Sequence, residues 1–278
     1  MPEGDTVFRT AQALGRALAG ATLTASDLRV AALATVDLAG WAVEESVSRG
    51  KHLLLRLRPP DAATAAPLTL HSHLGMDGSW RVFTAGRRPA GPAHHIRAVL
   101  HTTEALAVGY QLKELALLPT TDEPARLGHL GPDLLGADFD ADEAVRRLSR
   151  DPGATIADAL RDQRHLAGIG NVYCAELLFL RGIWPWTPTA EVTDLPALVA
   201  LARRVLLANS RRPVRTTTGS LRRGQTTYVY GRSNSPCRRC GTLIAVDNRG
   251  ERVTYWCPAC QPAGTAAPPG GAAPRTPR

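Results

Sequence analysis

The residues with the most evident chemical capacity stand near the two ends of the chain. The first six are Met-Pro-Glu-Gly-Asp-Thr. Processing commonly removes an initiator Met that precedes a small residue such as Pro, which leaves Pro2 as a terminal secondary amine. An α-amino group titrates near 7.7–8.0 and a Lys side chain near 10.4. Roughly a tenth of such a terminus is therefore unprotonated at neutral pH, against well under a hundredth of a Lys. A free amine attacks the anomeric carbon of a sugar and forms a Schiff base, as catalytic lysines do with carbonyls. Glu3 beside it offers general acid–base chemistry on the same sugar. Taken alone, the six residues fit a frayed, inert terminus equally well.

Cys237, Cys240, Cys257 and Cys260 form two Cys-x-x-Cys pairs separated by sixteen residues, with Cys174 apart from them. That spacing is characteristic of a zinc site. Four thiolates fill every position of a tetrahedral zinc, which makes the site structural rather than catalytic. Two such pairs in a cytosolic setting argue against disulfides. The residues between the pairs read as strand–turn–strand around Asn248-Arg249-Gly250. The expectation is a zinc-held β-hairpin carrying Arg249 and Arg252, which either grips phosphate or only stabilises a small module. A buried, small apolar role is expected for Cys174.

Two further stretches carry alternatives. In LAGIGN (166–171), Gly168 and Gly170 permit a sharp turn with exposed backbone N–H groups, and a helix starting at Asn171 points its positive end at the same spot. That arrangement suits a phosphate, but an ordinary glycine turn between helices fits it too. In HSHLGMDGSW (71–80), Met76 is either an apolar wedge of the kind that enters a base stack or core filling, and the residues alone favour core filling. His71 and His73 alternate on one strand, as metal ligands or as structural residues; no third ligand is evident.

The elements that must position these residues follow from periodicity. Asp5 or Thr6 is placed to cap a helix whose apolar positions Val7, Ala11, Leu14 and Leu18 recur at helical spacing up to Gly20. Such a helix holds Pro2 and Glu3 at its N-terminal mouth, where the dipole favours anions. Residues 21–118 read as β, in segments 28–31, 41–48, 52–57, 68–74, 79–84, 95–101 and 105–109, at the spacing of a sandwich or barrel. The stretches 59–67 and 86–92 are loops, and 119–137 is a hinge without periodicity. Helices are expected at 141–149, 155–163, 171–180 and, capped by Asp194, 195–209. An arginine-rich segment (211–232) precedes the cysteine module. The Pro/Gly/Ala-rich end is expected to be disordered.

With 278 residues, 44% of them hydrophobic, the chain has ample length for one or two domains plus small modules. No apolar run reaches the ~20 residues needed to span a bilayer, and no basic-then-apolar leader is visible, so a cytoplasmic address is expected. The formal charge of +8 permits a polyanionic partner. Of 33 basic residues only Lys51 and Lys113 are Lys. Each invites a reason, because Lys is a compact point charge where Arg is a planar fork.

MPEGDT, SRGKHL (48–53), HLGMDGSWR (73–81), LAGIGNVYCAE (166–176) and VYGR…C-x-x-C…RVTYWCPAC (229–260) fall in one order. Together they resemble the bacterial Fpg/Nei family of DNA glycosylases, specifically its endonuclease VIII-like members, from Pro2 to about Gln261. The resemblance implies an α+β multidomain fold: an N-terminal β-sandwich with an N-terminal helix (1–125), a hinge and helix–two-turns–helix DNA-binding lobe (126–225), a four-cysteine zinc finger (226–262) and a disordered tail (263–278). It implies a bifunctional base-excision glycosylase and abasic-site lyase with one structural zinc, acting on damaged DNA, duplex or bubble or single-stranded. The enzyme is expected to be a monomer at the nucleoid, with no membrane partner.

The same resemblance makes Pro2 the nucleophile, Glu3 the acid/base on the sugar, and Lys51, Asn171 and Arg252 phosphate contacts. Gly168 and Gly170 form the DNA-binding turn, Met76 fills the void, and Glu176 is supportive. The start PEGDT, where oxidised-purine enzymes read PELPEV, favours oxidised pyrimidines, and strand cleavage by β,δ-elimination is expected from the Schiff base. The Arg-x-Phe wedge of the purine enzymes has no counterpart around 109–115, so gap filling falls to Met76 alone or to Leu112. An oxidised-purine enzyme of the same family and a non-catalytic zinc-ribbon binder of damaged DNA are the alternatives.

Overall fold

The computed structural model describes residues 2–61, 63, 65–250 and 252–263. The expected tail disorder falls, from Gly264 onward, outside the described residues. Two compact units divide between His129 and Leu130, and each is described by itself.

The first unit opens with helix α1 (Gly4–Leu18). Its apolar positions Val7, Ala11, Leu14 and Leu18 are all buried, at the helical spacing read from the sequence. The expected cap at Asp5 or Thr6 is displaced: Glu3 is the N-cap residue, in extended conformation, and its carbonyl accepts the N–H groups of Thr6 (2.9 Å) and Val7 (3.1 Å). Asp5 instead lies in the first turn, buried, 3.8 Å from Arg9. An acid there complements the positive end of the helix.

Eight strands follow: β1 (Ala25–Leu28), β2 (Ala42–Arg49), β3 (His52–Arg58), β4 (Leu68–His73), β5 (Ser79–Thr84), β6 (Ile96–His101), β7 (Ala105–Tyr110) and β8 (Glu114–Pro119). They form two four-stranded antiparallel sheets, ordered β1-β6-β7-β5 and β2-β3-β4-β8. A single core draws on α1 and both sheets: Leu53, Leu55 and Leu57 enter from β3 at period two, Ala98 and Leu100 from β6.

Two strand expectations need correction. The first strand lies three residues earlier than 28–31, because Ala25 through Leu28 pair with His101 through Ala98. Strand β8 was not anticipated as a separate element. Its Leu-Ala-Leu-Leu run does not alternate and it ends in Pro119, which an edge strand tolerates. Pairing with β4, not local pattern, makes it a strand.

The expected hinge is in part structured. After a 3₁₀ turn at Thr120–Asp122 comes the short helix α2 (Glu123–Leu127). Glu123 takes two hydrogen bonds from the Arg56 guanidinium (2.9 and 2.6 Å) and one from the Thr69 hydroxyl (2.6 Å), which ties α2 to strands β3 and β4.

The second unit contains α3 (Ala141–Leu148), α4 (Ile156–Arg161), α5 (Asn171–Arg181) and α6 (Leu195–Ser210). Side-chain caps start three of them. Asp140, Thr155 and Asp194 accept from the N–H groups of Glu143 (2.9 Å), Asp158 (3.2 Å) and Ala197 (2.9 Å). Helix α5 ends on Gly182 in the left-handed conformation (φ 68°). Leu160, Leu166, Tyr173, Leu177 and Leu198 lie in its core. Cys174 is buried among them, with its thiol 3.5 Å from the Ala157 carbonyl. A smaller cluster joins Ala175 and Phe179 of α5 to Val229, Ile244, Cys237 and Cys257. There β9 (Ala245–Asp247) and β10 (Thr254–Trp256) make the expected antiparallel hairpin.

Replacing Leu14, fully buried on α1, with Ala is expected to cost about 3 kcal/mol through lost transfer energy and the cavity left behind. Urea unfolding followed by Trp fluorescence measures the loss.

Candidate functional site

In the first unit, Pro2 is half-buried and directly precedes the N-cap of α1, while Glu3 is fully buried. The terminus is thus held at the positive end of a helix whose other face is locked into the core. The frayed reading does not describe it.

Gly50 and Lys51 form the two-residue turn between β2 and β3, with Arg49 paired to His52 across it. Gly50 has φ 57°, the left-handed conformation that such a turn demands. Beside this turn lies an arrangement not visible in the sequence. His52 is the neighbour that His71 and His73 lacked: His52 Nδ1 and His71 Nε2 are 2.8 Å apart, His71 stacks on the His52 ring and His73 meets it edge-on, each with centroids 5.1 Å away.

Strand register brings the three together, since His52 faces His73 across the β3–β4 pair. Burial first, then His71 and His73, push the His52 imidazole down to about 3. Burial first, then Arg126 and His73, push His71 down to about 4. His73 is lowered by burial, then by Lys113 and Lys51. The two lysines of the chain therefore act on one histidine, although 61 residues separate them in sequence. The cluster is neutral at pH 7. Among the described residues, the four cysteines are the one group of His, Cys, Asp and Glu side chains placed to hold a metal ion.

Met76 projects from the turn between β4 and β5 with 57% of its surface exposed, so it does not fill the core. The turn is tight enough to require its glycines. Gly75 has φ 65°, and a Cβ on Gly78 would lie 2.2 Å from the Leu74 carbonyl oxygen. Leu112 is buried and joins the core, which leaves Met76 as the exposed member of the expected pair.

In the second unit, the glycine turn before α5 is buried, not exposed. Gly168 (φ 110°) donates its N–H to Gln163 Oε1 at 3.0 Å, and Gln163 Nε2 donates back to the Ile169 carbonyl at 2.8 Å. Gly170 is the N-cap and Asn171 the first residue of α5. The Asn171 side chain spans two elements: its Oδ1 accepts from Arg161 Nη1 (3.1 Å), and its Nδ2 donates to the Val253 carbonyl on the hairpin (2.6 Å). Arg252, next to Val253, is exposed. Arg249 is tied to Asp247 (3.0 and 2.8 Å), so the two hairpin arginines are not equivalent.

Glu176 is fully buried on α5. It accepts the Thr217 hydroxyl and the N–H groups of Tyr228 (2.7 Å), Val229 (2.8 Å) and Tyr230 (2.9 Å). One carboxylate thereby anchors both ends of the segment that contains Arg222 and Arg223.

The four cysteine sulfurs all lie within 4.8 Å of one another, with Cys237–Cys260 at 3.9 Å and Cys240–Cys257 at 3.5 Å. Thiolates around zinc at 2.3 Å stand about 3.8 Å apart, so these positions fit the ion. Backbone N–H groups of Arg239 and Cys260 point at the Cys237 and Cys257 sulfurs (3.4 Å each), as suits thiolate charge. The module is built for one structural zinc.

Two outcomes follow. Cys257→Ser is expected to lower bound zinc from one ion per chain to near none, read by atomic absorption, and to expose Trp256 to fluorescence quenchers. The depressed His52 and His71 titrations mean that unfolding binds protons as pH falls below the unfolded histidine value of about 6.5. Their contribution to stability is complete above that value and declines toward pH 4. Thermal melting across pH 4–7 should show that decline, and His71→Leu should flatten it.

Residues 1–112 match the formamidopyrimidine-DNA glycosylase N-terminal domain, residues 130–213 its H2TH domain, and residues 234–263 the zinc finger found in FPG and IleRS. The chain is 53% identical to the probable endonuclease 8 2 of Streptomyces coelicolor, over 98% of this chain and 97% of that one. It is 49% identical to the DNA-(apurinic or apyrimidinic site) lyase Nei2 of Mycolicibacterium smegmatis, over 95% and 100%. The fold matches Lactococcus lactis Fpg solved with abasic-site DNA, with a TM-score of 0.75 at 23% identity, covering 94% of this chain and 100% of that one. Sequence order, fold and cysteine geometry thus agree on one lineage, and the chain belongs to the formamidopyrimidine-DNA glycosylase and endonuclease 8 family.

Proposed function

We propose that this protein is a base-excision repair DNA glycosylase and abasic-site lyase that removes oxidised bases, chiefly pyrimidines, through the amine of Pro2. The observation that carries this reading is the placement of Pro2 directly before the buried N-cap Glu3 of α1. The names of the relatives at 49–53% identity, endonuclease 8 2 and abasic-site lyase, support it.

In the proposed reaction the Pro2 nitrogen forms a bond to C1′ of the damaged nucleotide and the glycosidic bond breaks. The base leaves with the electron pair and takes up a proton. The nitrogen gives up its own proton, Glu3 in its acid form protonates the ring oxygen as the sugar opens, and the freed nitrogen lone pair completes a cationic Schiff base, an iminium that carries no N–H because the amine is secondary. Loss of a C2′ proton then expels the 3′ phosphate, and a second elimination expels the 5′ phosphate. Hydrolysis returns the free amine. Zinc takes no part; its cysteines hold the hairpin that carries Arg252.

Lys51, Asn171 and Arg252 are assigned to phosphates, which position the strand without reading sequence. Met76, large, apolar and exposed, is assigned to the gap left by the extruded nucleotide. Gly168 and Gly170 are assigned to shaping the turn that presents Asn171, and Glu176 to holding the arginine segment. The enzyme is proposed to act as a monomer at the bacterial nucleoid, on duplex, bubble or single-stranded DNA.

Borohydride trapping on oligonucleotides carrying an abasic site, an oxidised pyrimidine or an oxidised purine tests the mechanism. A covalent adduct is expected with the chain that begins at Pro2. Pro2→Gly keeps a terminal amine, now primary, and should still give a weaker adduct, whereas retention of Met1, checked by intact mass, moves the amine one residue away and should block both adduct and strand cleavage. Near-normal strand cleavage by the chain that retains Met1 overturns the mechanism. Tight binding without any adduct from the processed chain favours a non-catalytic binder, and faster release of oxidised purines moves the enzyme to the other branch.

A further inference from the structure

The Asn171 side chain is the end of a polar chain that begins at the cap of α4. The Thr155 hydroxyl donates to Asp158 Oδ2 at 2.7 Å, and Asp158 Oδ1 accepts from Arg161 Nη2 at 2.6 Å. Arg161 Nη1 donates to Asn171 Oδ1 at 3.1 Å, and Asn171 Nδ2 donates to the Val253 carbonyl at 2.6 Å. The Arg161 side chain is only 15% exposed, whereas Asp158 is 69% exposed. One prong of the guanidinium fork is thus committed to a carboxylate and the other to the amide.

We propose that Arg161 is a positioning residue for DNA binding, which acts by fixing the orientation of the Asn171 amide. This rests on the proposed phosphate role of Asn171. An asparagine amide has two faces of similar shape and opposite hydrogen-bonding character. Arg161 carries only donors, so the Asn171 edge that faces it must be the oxygen. The –NH₂ edge is then turned toward the hairpin. One of its hydrogens is held by the Val253 carbonyl, and the second remains to be donated to an anion.

Reversal of the amide would set its –NH₂ against the guanidinium and its oxygen against the Val253 carbonyl, two repulsive contacts at once. Arg161 also carries its own counter-ion in Asp158. It therefore adds little net charge to the interface and acts through Asn171. The sequence gives no hint of this role: Arg161 sits ten residues before Asn171, at the end of a different helix.

The test is a double-mutant cycle with Arg161→Met, Asn171→Ala and the double variant. Dissociation constants are measured on a duplex with a tetrahydrofuran abasic-site analogue between 50 and 300 mM salt. Loss of one orienting hydrogen bond should weaken binding by Arg161→Met about fivefold, with the salt slope unchanged because no phosphate contact is lost outright. The double variant should bind no worse than Asn171→Ala alone. Arg161→Lys, which keeps a donor of similar reach, should recover part of the loss and guards against a folding defect in the Met variant.

Unchanged binding by Arg161→Met, multiplicative losses in the double variant, or a Lys variant no better than Met each overturn the proposal. A salt slope lowered by about 0.9, the signature of one phosphate contact, overturns it as well. If Asn171→Ala itself binds as tightly as the parent, the phosphate assignment of Asn171 has failed; if it binds weakly and the cycle is additive, only the role of Arg161 has.

Discussion

The chemistry assigned to the N-terminus depends on the burial of one face of α1. A 15-residue helix is marginal by itself in water, and ordering its backbone costs about 1–2 kcal/mol per residue. Burying Val7, Leu14 and Leu18 returns roughly 2 kcal/mol each, and the two sheets supply the surface that receives them. The position of the N-terminus is therefore not a local feature. Pro2 stands where it does because both sheets of the first unit contribute to the core that receives the helix.

The second unit solves a different problem with polar groups. The residues assigned to binding lie on separate elements, and hydrogen bonds between those elements fix Asn171 and Glu176. Glu176 gathers four donors from the segment after α6, and Asn171 joins α5 to the hairpin through Val253. A buried carboxylate is tolerable only because its acceptor capacity is used. The glycine turn follows the same logic: with the Gly168 N–H turned inward to Gln163, the assigned phosphate contact passes to the Asn171 side chain.

Charge is distributed with similar economy. Many arginines are already committed: Arg56 to Glu123 and Glu45, Arg249 to Asp247, Arg232 to the carbonyls of Tyr228 and Pro236. The net charge of the chain is thus a poor guide to which cations face a ligand. Lys51 and Lys113 both act on a neutral His73 at the end of β4, a convergence that composition could not locate. Neutral, buried His52 and His71 lie behind it and keep that edge of the sheet from accumulating further charge.

What the sequence determined by itself was whatever short-range pattern encodes. The zinc module followed from cysteine spacing, the face of α1 from a 3.6-residue period, and the helices of the second unit from their amphipathic pattern and, for α6, the cap at Asp194. The ordered set of motifs was enough to place the chain in its family. Tertiary structure decided the rest. β8 is a strand because β4 pairs with it, and the exposure of Met76 follows from a turn whose glycines leave no room for side chains. Three histidines meet through strand register, and Arg161 meets Asn171 through the packing of α4 against α5. These depend on residues distant in sequence, and a linear pattern records spacing along the chain, not the hydrogen-bond partners and desolvation that folding imposes.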